Sequence, residues 1–253
     1  MLKKILVLLG LGFSQTLLAA LPPTITFATE ATYPPFEYVA PSGEIKGFDI
    51  ELAKALCQTL NVQCTFTNQP WQSLIPSLKL GKFDALISAM GITAERQQQV
   101  DFSQPYLPAT ASLVALASDH LQLTPASLEG KIVGVQGGAT MEQYMNTVYK
   151  GVVTVKPYAS LQDALLDLTS GRVDAVLGDT PSLVDWLNKH DTAKKYQLVG
   201  EPINDPQIFG AGYAIAVKKG HRELLDAFNK ALATIKSNGS YDKLVDAYFP
   251  HTP

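Results

Sequence analysis

The sequence predicts an α/β fold in two lobes with largely parallel sheets, on three observations. From Thr24 onward, short β-type runs alternate with helical stripes, the pattern of strand–helix units. Gly81 to Ser88 (GKFDALIS) aligns without a gap with Gly171 to Gly178 (GRVDAVLG) at an offset of 90, and each segment follows a helical stripe that ends in its glycine. Any α/β chain repeats this grammar loosely; eight gapless positions after equivalent stripes point to one unit per half. Finally, 253 residues with 46% hydrophobic and 17% charged composition can bury one large core or two smaller ones, and exclude disorder, collagen and coiled coil.

Taken in order, residues 1–20 read as a secretory signal peptide. Lys3 and Lys4 form the charged start, Ile5 to Phe13 the apolar run and Leu18-Ala19-Ala20 the small-residue end, with cleavage expected near Ala20. The alternative, an uncleaved anchor, is opposed by the break at Ser14-Gln15-Thr16, which leaves the apolar run short of the ~20 residues a bilayer span needs. No other stretch is apolar enough to span, so the mature chain is expected to be soluble outside the cytoplasmic membrane.

Strands are expected at Thr24–Ala28, Cys64–Thr67, Asp84–Ser88, Ser112–Ala117, Ile132–Val135, Val152–Pro157, Asp174–Leu177, Tyr196–Val199 and Gly212–Val217. Between them, Ala53, Leu56, Cys57 and Leu60 fall at helical spacing, as do Met141, Tyr144, Met145 and Val148. Leu74, Ile75, Leu78 and Ala164, Leu165, Leu168 form the two stripes before the repeated glycines. Leu224, Leu225, Phe228, Ala231, Leu232 and Ile235 form the longest stripe. The two cysteines, Cys57 and Cys64, follow the leader, so in an oxidising compartment they are expected to pair, for about 2 to 3 kcal/mol on the chain-entropy argument. Two free thiols or half a metal site is the weaker alternative, because His120, His190, His221 and His251 have no ligand spacing to one another or to a cysteine.

In such a fold, ligands gather beyond the carboxyl ends of the strands. Those ends carry Glu30 to Tyr33, Ala89 to Arg96, Gly137 to Thr140, and Asp179-Thr180. Gly137-Gly138-Ala139-Thr140 opens a helix, with Thr140 and Gln143 spaced as a capping box; its backbone N–H groups together with the Arg96 fork suit a carboxylate. Thr93 precedes the turn carrying Arg96, and Pro181 follows Thr180 at the start of another helix. Asp179 could accept from an α-ammonium or simply cap that helix. Glu30 near Tyr33 and Phe36, with Trp71 facing them from another loop, suits a cation, above all a planar guanidinium; core packing is the alternative for each aromatic.

Charge and missing motifs narrow the class. The net charge is −3, becoming −5 once Lys3 and Lys4 leave with the signal, which argues against a nucleic-acid partner. No G-x-S-x-G, G-x-G-x-x-G after a strand, Walker loop or H-E-x-x-H occurs, and nothing pairs a nucleophile with a base. Binding without chemistry is therefore expected, with no catalytic residues, cofactor or metal.

Several segments are recognisable together: ATEATYPPFE at Ala28 to Glu37, GFDIEL at Gly47 to Leu52, LIPSL at Leu74 to Leu78, ITAER at Ile92 to Arg96 and GDT at Gly178 to Thr180. Together they resemble the polar amino-acid-binding proteins of bacterial ABC transporters (solute-binding protein family 3), and within them the periplasmic arginine-binding proteins in particular. The resemblance spans essentially the whole chain after the leader and includes the spacing of Cys57 and Cys64.

It implies a type II periplasmic-binding-protein-like fold, each lobe a mixed, mostly parallel sheet flanked by helices, with two hinge strands between lobes that close on one ligand. Lobe I would be discontinuous, residues 21–110 and 211–253, and lobe II would be 111–210, with crossings near Ala109–Leu113 and Gly210–Ala214. Carried over by resemblance, Arg96 and the backbone at Thr140 hold the α-carboxylate, Ala139 neighbours them in the carboxylate loop, and Gln136 is a further ligand-binding residue. Asp179 holds the α-ammonium. Glu30, Tyr33, Trp71 and Ser88 enclose the side chain, and Ala89 contributes its carbonyl.

Three departures from the lysine/arginine/ornithine binders bear on these roles. Gly91 stands where they often carry a hydroxyl that helps hold the ammonium; Ala139 and Met141 replace polar neighbours of the carboxylate loop; and Glu30 replaces their usual aspartate, which fits the arginine binders better. The implied function is periplasmic capture of L-arginine and delivery to an ABC permease and its ATPase by a monomer. The alternatives are a broader lysine, ornithine or histidine binder, or an enzyme similar to periplasmic cyclohexadienyl dehydratases, whose doubly acidic substrates Glu30 would repel. A receptor sensor domain is disfavoured, since the chain stops at Pro253 after a terminal helix expected over Tyr241 to Tyr248.

Overall fold

The computed structural model describes residues 21–191 and 193–250, so the signal peptide expected over residues 1–20 lies outside the described residues. Two five-stranded sheets carry the fold. The first has the order Gln63–Asn68, Thr24–Thr29, Ala85–Leu86, Ala216–Lys218, Val100–Phe102, and the second Thr154–Tyr158, Ile132–Gln136, Ala175–Asp179, Ala111–Leu116, Tyr196–Ile203. The first three strands of each sheet pair in parallel, and the fourth runs antiparallel to both neighbours.

Four of the five strands in each sheet therefore run one way. The exception is in each case the strand that brings the chain in from the other sheet, Ala111–Leu116 on the way out and Ala216–Lys218 on the way back. An arriving strand starts at the side facing the other lobe and runs away from it, whereas the others point their carboxyl ends toward it.

The internal repeat is a structural one. Helix Leu74–Lys79 ends with Gly81 N–H donating to the Leu78 carbonyl and Lys82 N–H to Ser77. Helix Leu161–Thr169 ends with Gly171 donating to Leu168 and Arg172 to Asp167. Both glycines have φ near +70°, 71° and 70°, which the left-handed turn requires. The next conserved step of the repeat is an aspartate that locks the neighbouring strand: Asp84 Oδ2 accepts from Thr26 N–H at 2.7 Å, and Asp174 Oδ2 from Ile132 N–H at 2.7 Å.

Each sheet is covered by the stripes that the spacing predicts. Helix Phe48–Leu60 buries Leu52, Ala53, Leu56 and Cys57. Helix Arg222–Ser237 packs on it and buries Leu224, Phe228, Ala231, Leu232 and Ile235, with Phe228 against Phe27, itself stacked on Phe66. In the second sheet, helix Leu161–Thr169 buries Ala164, Leu165 and Leu168 on Ile132–Gln136, where Gly134 allows the close approach: a Cβ there would lie 3.3 Å from Ala164 Cβ. Cys57 and Cys64 are disulfide-bonded, tying helix Phe48–Leu60 to strand Gln63–Asn68 with Cα atoms 6.1 Å apart. Among the described residues no helix is long and apolar enough to cross a membrane.

The structure differs from the expected elements in places. Strand Ala216–Lys218 is shorter than Gly212–Val217, because Gly212 takes φ 125° and Tyr213 instead bridges Gly91 and Leu107 in the crossing. Helix Thr140–Val148 leaves Val148 exposed, so its apolar stripe is only Met141, Tyr144 and Met145. The edge strand Val100–Phe102 and a small antiparallel sheet of Thr32–Tyr33, Glu37–Val39 and Ile45–Lys46 were not expected.

Candidate functional site

Strands that point their carboxyl ends across a cleft deliver short loops to it, and the loops of both sheets meet here. Glu30 follows Thr24–Thr29, and Ser88 and Ala89 follow Ala85–Leu86. Gln136 and Asp179 end their own strands, and Trp71 opens a 3-10 turn after Pro70. Together they line one pocket between the two sheets. All eleven positions expected from sequence line it: Glu30, Tyr33, Trp71, Ser88, Ala89, Gly91, Arg96, Gln136, Ala139, Thr140 and Asp179. Met141 and Tyr213 line it as well. Phe36 does not; it is fully buried behind Tyr33, against Phe48, Tyr213 and Phe249, so for this aromatic the packing alternative holds.

Asp179 sits at the N-cap position of helix Thr180–His190, but its carboxylate caps nothing. One oxygen accepts from the Tyr33 hydroxyl at 2.5 Å and the other from the Tyr213 hydroxyl. Burial pushes its carboxyl up to about 6, against the pull of the two hydroxyls and the Arg96 charge. This disposes of the plain-cap alternative, since the side chain is aimed into the cavity.

Arg96 lies in helix Ala94–Gln99, whose first turn is capped by the Thr93 hydroxyl. Its guanidinium stacks 5.1 Å from the Trp71 ring centre, donates to the Gly91 carbonyl at 3.2 Å and reaches the Gly138 carbonyl of the facing loop at 3.5 Å. Desolvation draws it down to about 10, so it remains charged at neutral pH. Glu30 is buried, accepting from Thr32 Oγ1 and from Gln136 Nε2 at 2.7 Å each, and burial pushes its carboxyl upward. Contacts Tyr33–Asp179, Gln136–Glu30 and Arg96–Gly138 thus run from one sheet's loops to the other's.

The glycine loop is organised differently from its expected form. Thr140 is not an N-cap and forms no capping box with Gln143: Ala139 occupies that position without a side-chain bond, and Thr140 is the first helical residue. The loop N–H groups are not bare either. Gly137 donates to the Tyr158 carbonyl, Gly138 to the Glu142 carboxylate and Ala139 to the Gln136 carbonyl. The orphan donors are those of the first helical turn, beginning with Thr140, which no acceptor within the described residues satisfies. The Gly91 departure also has a physical reason, because a Cβ there would sit 2.5 Å from the Phe209 carbonyl oxygen. A hydroxyl-bearing side chain cannot fit, and Tyr213 from the crossing brings a hydroxyl to Asp179 instead.

Sequence reading also missed a layer under the cavity. Glu37 and Asp49 are both fully buried, Glu37 from the small sheet and Asp49 from the first turn of helix Phe48–Leu60. Ser88 Oγ donates to Glu37 Oε1 at 2.9 Å and accepts from Glu30 N–H at 3.0 Å. Asp49 Oδ2 accepts from Ala89 N–H at 2.7 Å and from the Tyr106 hydroxyl at 2.8 Å.

Two α/β lobes whose strand ends converge on one enclosed, polar, charge-bearing cavity define a two-lobed binding protein of the periplasmic type. The chain belongs to the bacterial extracellular solute-binding proteins, family 3, which match it over residues 25–251. It is similar to ABC transporter arginine-binding protein 1 of Escherichia coli (strain K12), 45% identical over 247 residues, which cover 98% of this chain and 99% of that one. It is also similar to the arginine-binding periplasmic protein of Mannheimia haemolytica, 45% identical over 219 residues, 87% of this chain and 88% of that one. Among solved structures, a Salmonella typhimurium periplasmic binding protein described for its high arginine specificity matches with a TM-score of 0.84 at 38% identity, covering 90% of this chain and all of that one.

Proposed function

We propose that the protein is a periplasmic receptor that captures L-arginine between its lobes and delivers it to a membrane permease driven by an ATPase. It acts as a monomer, without enzymatic turnover or a cofactor. In this reading lobe I comprises residues 21–110 and 211–253 and lobe II residues 111–210, the leader at residues 1–20 having directed export. The observation that carries the reading is the placement of three charges, Arg96, Asp179 and Glu30, around one enclosed cavity.

A free amino acid has two charges that every member of the class shares, and arginine adds a third. Arg96 pairs with the α-carboxylate, joined by the orphan N–H donors that begin at Thr140, while Ala139 shapes that wall and Gln136 reaches Glu30. Asp179, aimed inward by Tyr33 and Tyr213, takes the α-ammonium. The guanidinium lies at the Glu30 end, where Trp71 and Tyr33 offer faces and Ser88 and Ala89 offer acceptors. Lysine, with three donors in place of five, leaves acceptors there unpaired. A substrate with an additional carboxylate meets the Glu30 charge, which opposes a dehydratase reading.

Calorimetric titration of the ligand-stripped mature protein tests this. Submicromolar binding of L-arginine, with lysine, ornithine, histidine and glutamine at least about tenfold weaker, is the expected result. Binding of none of these, or turnover of prephenate or arogenate, contradicts it.

A further inference from the structure

The two carboxyl groups beneath the cavity have a role in selectivity. Neither Glu37 nor Asp49 has a cationic partner among the described residues. Both are fully buried, and Glu37 Oε2 and Asp49 Oδ1 have no hydrogen-bond partner among the described residues. Two neighbouring buried carboxyl groups whose charges repel, with no cation beside them, are not both ionised, so they share a proton. A proton on Glu37 Oε2, the oxygen that Ser88 does not engage, leaves Oε1 free to accept from the Ser88 hydroxyl. Burial and the neighbouring Asp49 charge push the Glu37 carboxyl well up, and burial raises Asp49 to about 7.

The consequence reaches the cavity wall. With Glu37 Oε1 an acceptor, the Ser88 hydroxyl must spend its only proton on it, and one lone pair takes Glu30 N–H. Ser88 then has only a lone pair left to show to the cavity. Asp49, ionised, accepts from Ala89 N–H and so holds that residue in the left-handed region, φ 41°, which sets the direction of its carbonyl. We propose that Glu37 and Asp49 are specificity-determining positioning residues, which fix Ser88 and Ala89 so that both present acceptors to the side-chain end of the cavity.

Such a wall favours a side chain made only of donors, as a guanidinium is, and rejects one ending in a carbonyl. The inference rests on the arginine reading, and L-citrulline probes it, since it places a carbonyl where arginine has an N–H. Glu37→Leu frees the Ser88 hydroxyl to turn into the cavity. The ratio of arginine to citrulline affinity should then fall about ten- to a hundredfold. Glu37→Gln keeps an acceptor toward Ser88 and a donor toward Asp49, so it should hold the ratio within about threefold.

Wild-type protein that prefers arginine, together with a Leu variant that keeps the same ratio, overturns the inference alone. Wild-type protein without arginine preference overturns the arginine reading and the inference with it. Should Glu37→Leu not fold, the infrared difference spectrum between the wild type and the near-isosteric Glu37→Gln decides. A protonated carboxylic-acid band at neutral pH in the wild type supports the shared proton, and its absence overturns it.

Discussion

The two ends of the cavity are built on different plans. At the Asp179 end, the groups come from both lobes and from a crossing: Asp179 from the second sheet, Tyr33 from the small three-stranded sheet, Tyr213 from the return segment, and Arg96 reaching over to Gly138. At the Glu30 end, Glu30, Ser88 and Ala89 follow two adjacent strands of one sheet and rest on Glu37 and Asp49; only Gln136 reaches in from the other lobe. On the proposed reading, the first arrangement would tie recognition of the groups common to all amino acids to the approach of the lobes. The second would keep most of the discriminating end within one lobe, so that selectivity would depend less on how far the cleft has closed.

Removing a charge from the shared end should have the largest effect. Arg96→Ala or Asp179→Ala is expected to weaken every amino acid ligand together, by roughly 30- to several thousand-fold, the range for truncating one partner of a desolvated charge pair. Titration with a series of amino acids checks this, and a variant that loses arginine while keeping neutral ligands would break the division between the ends.

The same end should respond to pH. Because the Asp179 carboxyl is raised from 3.8 to about 6 in the free protein, it must be ionised to hold an ammonium, so arginine affinity should fall as pH drops below about 6. For the free protein the sign is opposite. The folded state holds this proton more tightly than the unfolded chain, so the contribution of Asp179 to stability is greatest below about 4 and diminishes as pH rises to about 6, by on the order of 3 kcal/mol. Thermal melts of ligand-free wild type and Asp179→Asn over that window should show the difference; a wild-type profile superimposed on that of the variant would place the titration elsewhere.

Much of the shared end was legible in the sequence because it depends on strand ends. Arg96, Asp179 and the glycine loop are each read from a local pattern, and the internal repeat fixed which segments occupy equivalent places. What was not legible depends on contacts between distant segments. Tyr213 reaches Asp179 only because Gly210 and Gly212 adopt φ 85° and 125° in the crossing. Glu37 and Asp49 are carboxylates that nothing local marks as buried, and their partners Ser88, Ala89 and Tyr106 come from distant segments. The Thr140 capping box failed by a single residue, since a helix that starts one position earlier needs no side-chain cap when Glu142 accepts from the Gly138 N–H. Val100–Phe102 escaped because its apolar alternation, Val-Asp-Phe, is only three residues long and does not stand out from the loop around it.

The most direct test of the division between the two ends is titration of Glu30→Gln with L-arginine and with its uncharged isostere L-citrulline. Loss of arginine affinity by roughly 30-fold or more, with citrulline changed by less than about threefold, is the predicted result. Equal losses for both ligands would contradict it and remove Glu30 from the side-chain end of the cavity.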